Sequence, residues 1–121
     1  MKYDDVNISF EFKSDTIIGK IDGEIDHHRA KGLRESMDER IYADRPKCFM
    51  ADMSGVTFMD SSGLGLILGR FTLCRELGID FKLCSPSDEV MKIIDLAGAG
   101  RLIRIERRAG DKLSKGERRS K

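Results

Sequence analysis

Residues 57–70 read Thr-Phe-Met-Asp-Ser-Ser-Gly-Leu-Gly-Leu-Ile-Leu-Gly-Arg. An apolar segment ends at Met59, and an acid and two serines follow it. Apolar residues then recur at helical spacing, at Leu64, Ile67, Leu68, Phe71 and Cys74. Side-chain oxygens placed just before such a face accept hydrogen bonds from the unpaired N–H groups of the first helical turn. The pattern predicts a helix whose positive end carries Asp60, Ser61 and Ser62, a place suited to a phosphate.

The segments before this helix predict a hairpin, a helix and a strand. Apolar residues alternate over residues 5–12, and β-branched residues are frequent over 16–21, so two strands should flank a turn at 13–15. Asp22-Gly23-Glu24 is expected to end the second strand. Asp26 is predicted to cap a helix that buries Ala30, Leu33, Met37 and Ile41 and stops at Arg45-Pro46. The apolar run 48–51 predicts a strand covered on both faces, which the chain leaves at 52–55.

The segments after the central helix predict two further strands around a third helix. Gly78 should end the central helix, and residues 79–83 alternate as a strand does. Ser85-Pro86-Ser87-Asp88 is typical of a helix start with Ser85 as the cap; Val90, Ile94 and Ala97 should be buried, and Gly98 should end the helix. Residues 102–105 predict a last strand. The order β-β-α-β-α-β-α-β predicts an α/β fold: a mixed, largely parallel sheet of about five strands, packed against three to four helices, with an N-terminal β-hairpin.

Charge is distributed unevenly along the 121 residues. Residues 107–121 hold seven Lys or Arg and two acids, a net charge of +5, so residues 1–106 carry −4. We expect one domain over 1–106 and a basic, disordered tail over 107–121. An acidic domain argues against nucleic acid as the main partner. No apolar run approaches the roughly 20 residues of a membrane span, and the first residues do not resemble a signal peptide, so a cytoplasmic location without membrane contact is expected.

Enzymatic signatures are incomplete in this sequence. The glycines at 63, 65 and 69 lack the Gly-Lys-Ser/Thr of a P-loop, and Met59-Asp60-Ser61-Ser62-Gly63 lacks the first glycine of a hydrolase elbow. His27 and His28 are the only histidines and have no partner at zinc spacing, while the three cysteines form no C-x-x-C pair. We therefore predict no catalysis, no cofactor and no metal site. The three glycines are expected to permit close packing, within the domain or against a partner.

The residue types at the central helix start leave several roles open. Asp60 can be a cap, a partner contact or a phosphoacceptor, although a receiver-like site also needs neighbouring acids for Mg²⁺. Ser61 and Ser62 can be caps only, or can hold a phosphate.

Two motifs resemble one known family. Residues 58–70, together with Glu24-Ile25-Asp26-His27-His28, are similar to bacterial anti-sigma factor antagonists of the STAS domain class, and the resemblance extends over about residues 5–106. Within that class the chain is most similar to the sporulation anti-sigma F factor antagonists. The resemblance implies the STAS fold and a non-enzymatic binding module whose unphosphorylated form binds an anti-sigma factor that is also a serine kinase. That binding releases a sigma factor, the kinase inactivates the module by phosphorylating Ser61, and a serine phosphatase restores it.

The same resemblance implies which residues meet the kinase: Glu24, Asp26, Asp60, Ser62, Gly63, Leu64, Gly65 and Arg70. Three of them are acids, so a kinase with basic residues at its binding face is expected. A phosphate adds a charge of about −1.5 to −2, and at a helix N-terminus it should change the surface charge rather than the fold. Alternatives are a STAS regulatory module for a different kinase, or one that binds a nucleotide. A monomer is expected.

Overall fold

The computed structural model describes residues 7–107, with five strands and three α-helices in the predicted order. The elements are β1 (Ile8–Lys13), β2 (Thr16–Ile25), α1 (His27–Asp44), β3 (Cys48–Met59), α2 (Ser61–Glu76), β4 (Asp80–Cys84), α3 (Asp88–Leu96) and β5 (Arg104–Glu106), with a 3-10 turn at Ala99–Arg101 before β5. The start of the first predicted strand and all but the first residue of the predicted tail lie outside the described residues.

The five strands form one sheet in the order β1-β2-β3-β4-β5. β1 and β2 make the predicted antiparallel hairpin, with Ile8 opposite Ile21 and Lys13 opposite Thr16. The pairs β2–β3, β3–β4 and β4–β5 are parallel. Each of the three crossover connections places the next strand on the same side of the preceding strand. Because such crossovers are right-handed, all three helices lie on one face of the sheet.

The helix-covered face of the sheet holds the core. Ile17, Ile21, Phe49 and Leu83 are buried there, and the rings of Phe49 and Phe81 stack with centroids 6.0 Å apart. Side chains alternate across each strand, so the other face is lined by residues such as Ser9, Glu11, Lys20, Met50 and Glu106. The expectation that the Cys48–Ala51 strand is covered on both faces is therefore wrong: Cys48 and Met50 are only half-buried.

Two strands are longer than predicted, and their extensions lead to the end of the sheet where α1 and α2 begin. β2 continues through Asp22-Gly23-Glu24, where the expected break becomes two shifts in the pairing with β3; Gly23 takes a φ of 83° at this point. β3 likewise continues through 52–55, where the Asp52 carboxylate accepts hydrogen bonds from the Ser54 N–H and hydroxyl at 3.0 and 2.8 Å. The two strands end side by side, with Ile25 opposite Met59.

The helices follow the predicted spacing with local differences. α1 buries Leu33, Met37 and Ile41 as predicted, and Asp26 caps it. Ala30, which was also predicted to be buried, is only half-buried. α2 buries a face shifted towards α1, because α1 packs beside it; its buried residues are Gly63, Leu66, Ile67, Arg70 and Cys74, while Leu64, Leu68 and Phe71 pack against the core half-buried.

The region from α3 to β5 differs from the prediction in three details. Ser87, and not Ser85, caps α3 by accepting from the Val90 N–H at 3.2 Å; Ser85 has a φ of 54° that ends β4. Ala97 is the exposed C-cap of α3 instead of a buried residue. β5 begins at Arg104, two residues later than expected, because Leu102 and Ile103 still belong to the turn: their N–H groups donate to the Ala99 carbonyl at 3.0 and 3.1 Å.

Candidate functional site

Asp60 caps α2. Its Oδ1 atom accepts hydrogen bonds from the N–H groups of Ser62 at 2.9 Å and Gly63 at 3.2 Å. The two serines are the first two residues of the helix, so the interpretation of Ser61 and Ser62 as the caps is wrong. Ser61 is exposed at the positive end of the helix dipole, and the first turn of α2 contains no acid. A phosphate on Ser61 would meet a favourable local field.

The start of α1 lies beside the start of α2. Asp26 caps α1 by accepting from the Arg29 N–H at 3.0 Å. The Asp60 N–H donates to the Ile25 carbonyl at 3.3 Å, which joins the two strand ends directly. Glu24 lies opposite Phe58 in the β2–β3 ladder. The structure thus brings Glu24, Asp26, Asp60 and the two serines to the same end of the sheet, although Asp26 and Asp60 are 34 residues apart in the sequence.

The carboxylates of this site are partly neutralised. A guanidinium nitrogen of Arg29 lies 3.2 Å from Asp26 Oδ2 and 3.7 Å from Glu24 Oε1. The hydrogen bond from the Arg29 N–H lowers the pKa of Asp26, and the Arg29 charge adds to that effect. The site is therefore less negative than its three acids alone suggest. Sequence reasoning missed Arg29, although its position three residues after the Asp26 cap is where such a pair forms.

A second contact joins the two helix starts. The Ser62 hydroxyl lies 3.4 Å from Nδ1 of His27, the first residue of α1. Both histidines are exposed, and the contact with Ser62 was not predicted from the sequence. It depends on β2 and β3 ending at the same level, which local sequence patterns do not specify.

A groove runs from this contact along the line between α1 and α2. We call it the α1–α2 groove; it encloses about 470 Å³ and is lined by His27, Lys31 and Arg34 of α1 and by Ser62, Gly65 and Gly69 of α2. Leu66 and Arg70 form its inner wall. Among the predicted partner-contact residues, Ser62, Gly65 and Arg70 line this groove.

Arg70 also holds the two helices together. It is only 9% exposed, and its Nε atom lies 2.9 Å from Oδ1 of Asp38 on α1. Burial raises the pKa of Asp38, against the opposing effects of the Arg70 and Arg34 charges. Arg70 thus lies away from Ser61 and has a structural contact that its predicted partner role did not include.

The three glycines of α2 have different surroundings. A Cβ at Gly63 would collide with Met59 and would lie 2.8 Å from the Ile25 carbonyl oxygen, so this glycine is needed inside the domain. A Cβ at Gly65 or Gly69 would have no heavy atom within 4 Å. Because glycine in a helix is about 1 kcal/mol less favourable than alanine, the fold gains nothing from these two glycines.

Within residues 7–107, no three His, Cys, Asp or Glu side chains are grouped as metal ligands would be. No helix in this part of the chain is long and apolar enough to cross a membrane.

Comparisons with known proteins agree with the fold and with the family that the sequence resembles. The family model described as the STAS domain matches residues 7–111. The chain is 32% identical to the anti-sigma F factor antagonist of Paenibacillus polymyxa, over 83% of this chain and 86% of that protein. It is 29% identical to the anti-sigma-B factor antagonist of Listeria monocytogenes, over 88% and 95%. The solved structure of the anti-sigma factor antagonist SpoIIAA in its unphosphorylated form superposes with a TM-score of 0.71 and 25% identity, covering 92% of this chain and 91% of that one.

Proposed function

The chain belongs to the STAS domain family, and on that premise we propose that it is an anti-sigma factor antagonist. In its unphosphorylated form it binds an anti-sigma factor that is also a serine kinase, and the bound sigma factor is released. Phosphorylation of Ser61 ends this binding, and a serine phosphatase restores it. The protein acts as a binding module and not as an enzyme. Relatives named as anti-sigma factor antagonists at about 30% identity support this proposal.

One observation carries the assignment of Ser61. Asp60 provides the cap of α2, so the hydroxyl of Ser61 is not needed for that role and is exposed at the helix start. A kinase active site can reach this hydroxyl without unfolding the helix, and the helix dipole stabilises the phosphate that results. SpoIIAA has been solved in an unphosphorylated and in a phosphorylated form, so that relative does accept a phosphate.

The remaining site residues are proposed as parts of the binding face. Glu24, Asp26 and Asp60 lie around Ser61 at the same end of the sheet, and Leu64 and Gly65 follow on the first turns of α2. Gly63 acts indirectly, since it permits the close approach of α2 to the end of β2. Such a function places the protein in the bacterial cytoplasm, with no direct contact to DNA.

The test is phosphoryl transfer followed by mass spectrometry. The protein is incubated with ATP and the anti-sigma F factor of Paenibacillus polymyxa, or with a kinase recovered from its own source by pull-down. We expect one phosphate on the wild type and on Ser62→Ala, and none on Ser61→Ala. The adjacent serine is the matched control, because both variants remove one hydroxyl from the same helical turn.

Two outcomes would contradict the assignment. Phosphate on Ser61→Ala but not on Ser62→Ala would move the modification to Ser62. Stable kinase binding without any phosphate would leave a STAS module whose partner binding is not controlled at this serine.

A further inference from the structure

We propose that the α1–α2 groove binds an acidic helical segment of the partner protein, an inference that rests on the proposed function for the identity of that partner. Glu24, Asp26 and Asp60 lie where the two helices start, and the groove begins at Ser62 and leads away from them between α1 and α2. The partner would therefore meet two surfaces of opposite sign.

The ionisable side chains that line the groove are all of basic type: His27, Lys31, Arg34 and Arg70. His27, Lys31 and Arg34 follow at spacings of four and three, so their side chains lie on one face of α1. Lys31 and Arg34 are exposed, and no Asp or Glu lines the groove. The nearby carboxylate of Asp38 is paired with Arg70 and lies outside the lining. An acidic segment would meet complementary charge here, which favours both its encounter rate and its orientation.

The α2 side of the groove permits close approach. Gly65 and Gly69 are one helical turn apart, and the space where their Cβ atoms would lie is open. Neither glycine has a positive φ, so no turn or strained conformation requires it. Glycine at a helix surface lets another backbone come closer than any side chain would allow. An acidic helix lying along α2 would contact both the basic side chains of α1 and the open surface at Gly65 and Gly69.

The first test is calorimetric titration with the anti-sigma F factor of Paenibacillus polymyxa, in the presence of ADP so that binding occurs without phosphoryl transfer. We expect Lys31→Glu/Arg34→Glu to weaken binding by about tenfold or more, because both reversals oppose the acidic segment. The control is Lys92→Glu/Arg101→Glu, which makes the same change in net charge at exposed residues of α3 and the 3-10 turn. This control should bind as the wild type does.

A second test substitutes the two glycines, because the Tm and the affinity should then change in opposite directions. Gly65→Ala/Gly69→Ala should raise the Tm of the free protein, because alanine favours the helix, and should lower the affinity for the anti-sigma factor. Thr72→Ala, at an exposed position of the same helix, is the matched control; it should leave the affinity unchanged. A purely structural role would shift stability and affinity in the same direction.

The outcomes separate this inference from the proposed function. If the wild type binds the anti-sigma factor and Lys31→Glu/Arg34→Glu binds equally well, the groove is not the partner site. If the wild type does not bind, the proposed function fails for that partner, and NMR titration with a glutamate-rich amphipathic helical peptide tests the groove alone. Shifts of the Gly65 and Gly69 amides that disappear in Lys31→Glu/Arg34→Glu would support it, and their absence would overturn it. Self-association that the same variant abolishes would make a second copy the occupant and also overturn it.

Discussion

Gly63 and Gly65 lie two residues apart in α2, and the space around each is different. Gly63→Ala should lower the free energy of unfolding by about 1–3 kcal/mol, because the new methyl group meets Met59 and the Ile25 carbonyl oxygen, which is backbone and moves only with the sheet. Gly65→Ala should raise it by up to about 1 kcal/mol, because the site is open and helical. Urea unfolding of the two variants measures both changes.

Gly63→Ala and Gly65→Ala are controls for each other, since each adds the same methyl group to the same helix. A loss of stability in both variants would show that the surface of α2 is packed more closely than its surroundings indicate. An unchanged stability in Gly63→Ala would show that α2 can move away from β2 at little cost.

The sequence predicted which residues lie at the start of α2, but not which of them caps the helix and which is exposed. The sequence places an acid and two hydroxyls at the start of α2, and all three residue types can cap a helix. The choice of Asp60 depends on the point at which β3 ends, and that point is set by pairing with β2 as far as Ile25 and Met59. A long-range pairing thus decides which side chain is the cap and which hydroxyl is exposed.

At the scale of the elements, the Asp38–Arg70 pair between α1 and α2 predicts a pH dependence. Burial raises the folded-state pKa of Asp38, so the folded protein holds this proton more tightly than the unfolded chain does. The stabilising contribution of the bound proton is complete below the unfolded pKa of about 3.9 and is lost as the pH rises through the folded pKa. Asp38→Asn cannot titrate and keeps an oxygen that can accept from Arg70.

We therefore expect the stability of the wild type, relative to Asp38→Asn, to fall as the pH rises from about 3.5 to neutrality. Urea unfolding at several pH values measures this difference. Glu39→Gln removes an exposed carboxylate from the same helix and controls for the loss of one charge. A relative stability that rises with pH would mean that attraction to Arg70 outweighs the burial of Asp38.

The order of the helices and strands could be predicted from the sequence, whereas the residues at which they begin and end were predicted less well. Periodicity identified each helix, and flanking polar residues located most of their starts. The polar residues Asp52, Ser54, Asp22 and Glu24 look like strand breaks in sequence, but they lie within β2 and β3. Their polarity is tolerated because Ser54, Asp22 and Glu24 are exposed and Asp52 is hydrogen-bonded to Ser54.

At the scale of the whole molecule, the sequence did not show that one sheet face lacks helices. Cys48-Phe49-Met50-Ala51 is apolar throughout, which is also the pattern of a strand buried on both faces. The distinction comes from the strand order, since three crossovers in the same direction place every helix on the same side. The half-buried Cys48 and Met50 lie on the side without helices.

Because the site lies at one end of the sheet, where β2 and β3 lead into the helices, the effect of a charge added at Ser61 should stay local. Ser61→Asp places an acid in the first turn of α2, which has none, and should raise the free energy of unfolding by about 0.3–1 kcal/mol. The same charge should weaken binding to the anti-sigma F factor of Paenibacillus polymyxa by about tenfold or more, because it changes the centre of the proposed binding face.

Amide NMR spectra and calorimetry measure the two effects on one sample. We expect shifts of the amide signals only around residues 24–29 and 58–66, with the signals of β1, β4 and α3 unchanged. Ser9→Asp adds a comparable charge on the sheet face opposite the helices and should leave binding intact. Amide shifts throughout the sheet in Ser61→Asp would contradict a switch of surface charge. They would mean that the charge acts by changing the packing of α2 on β2 and β3, where Gly63 leaves no room for adjustment.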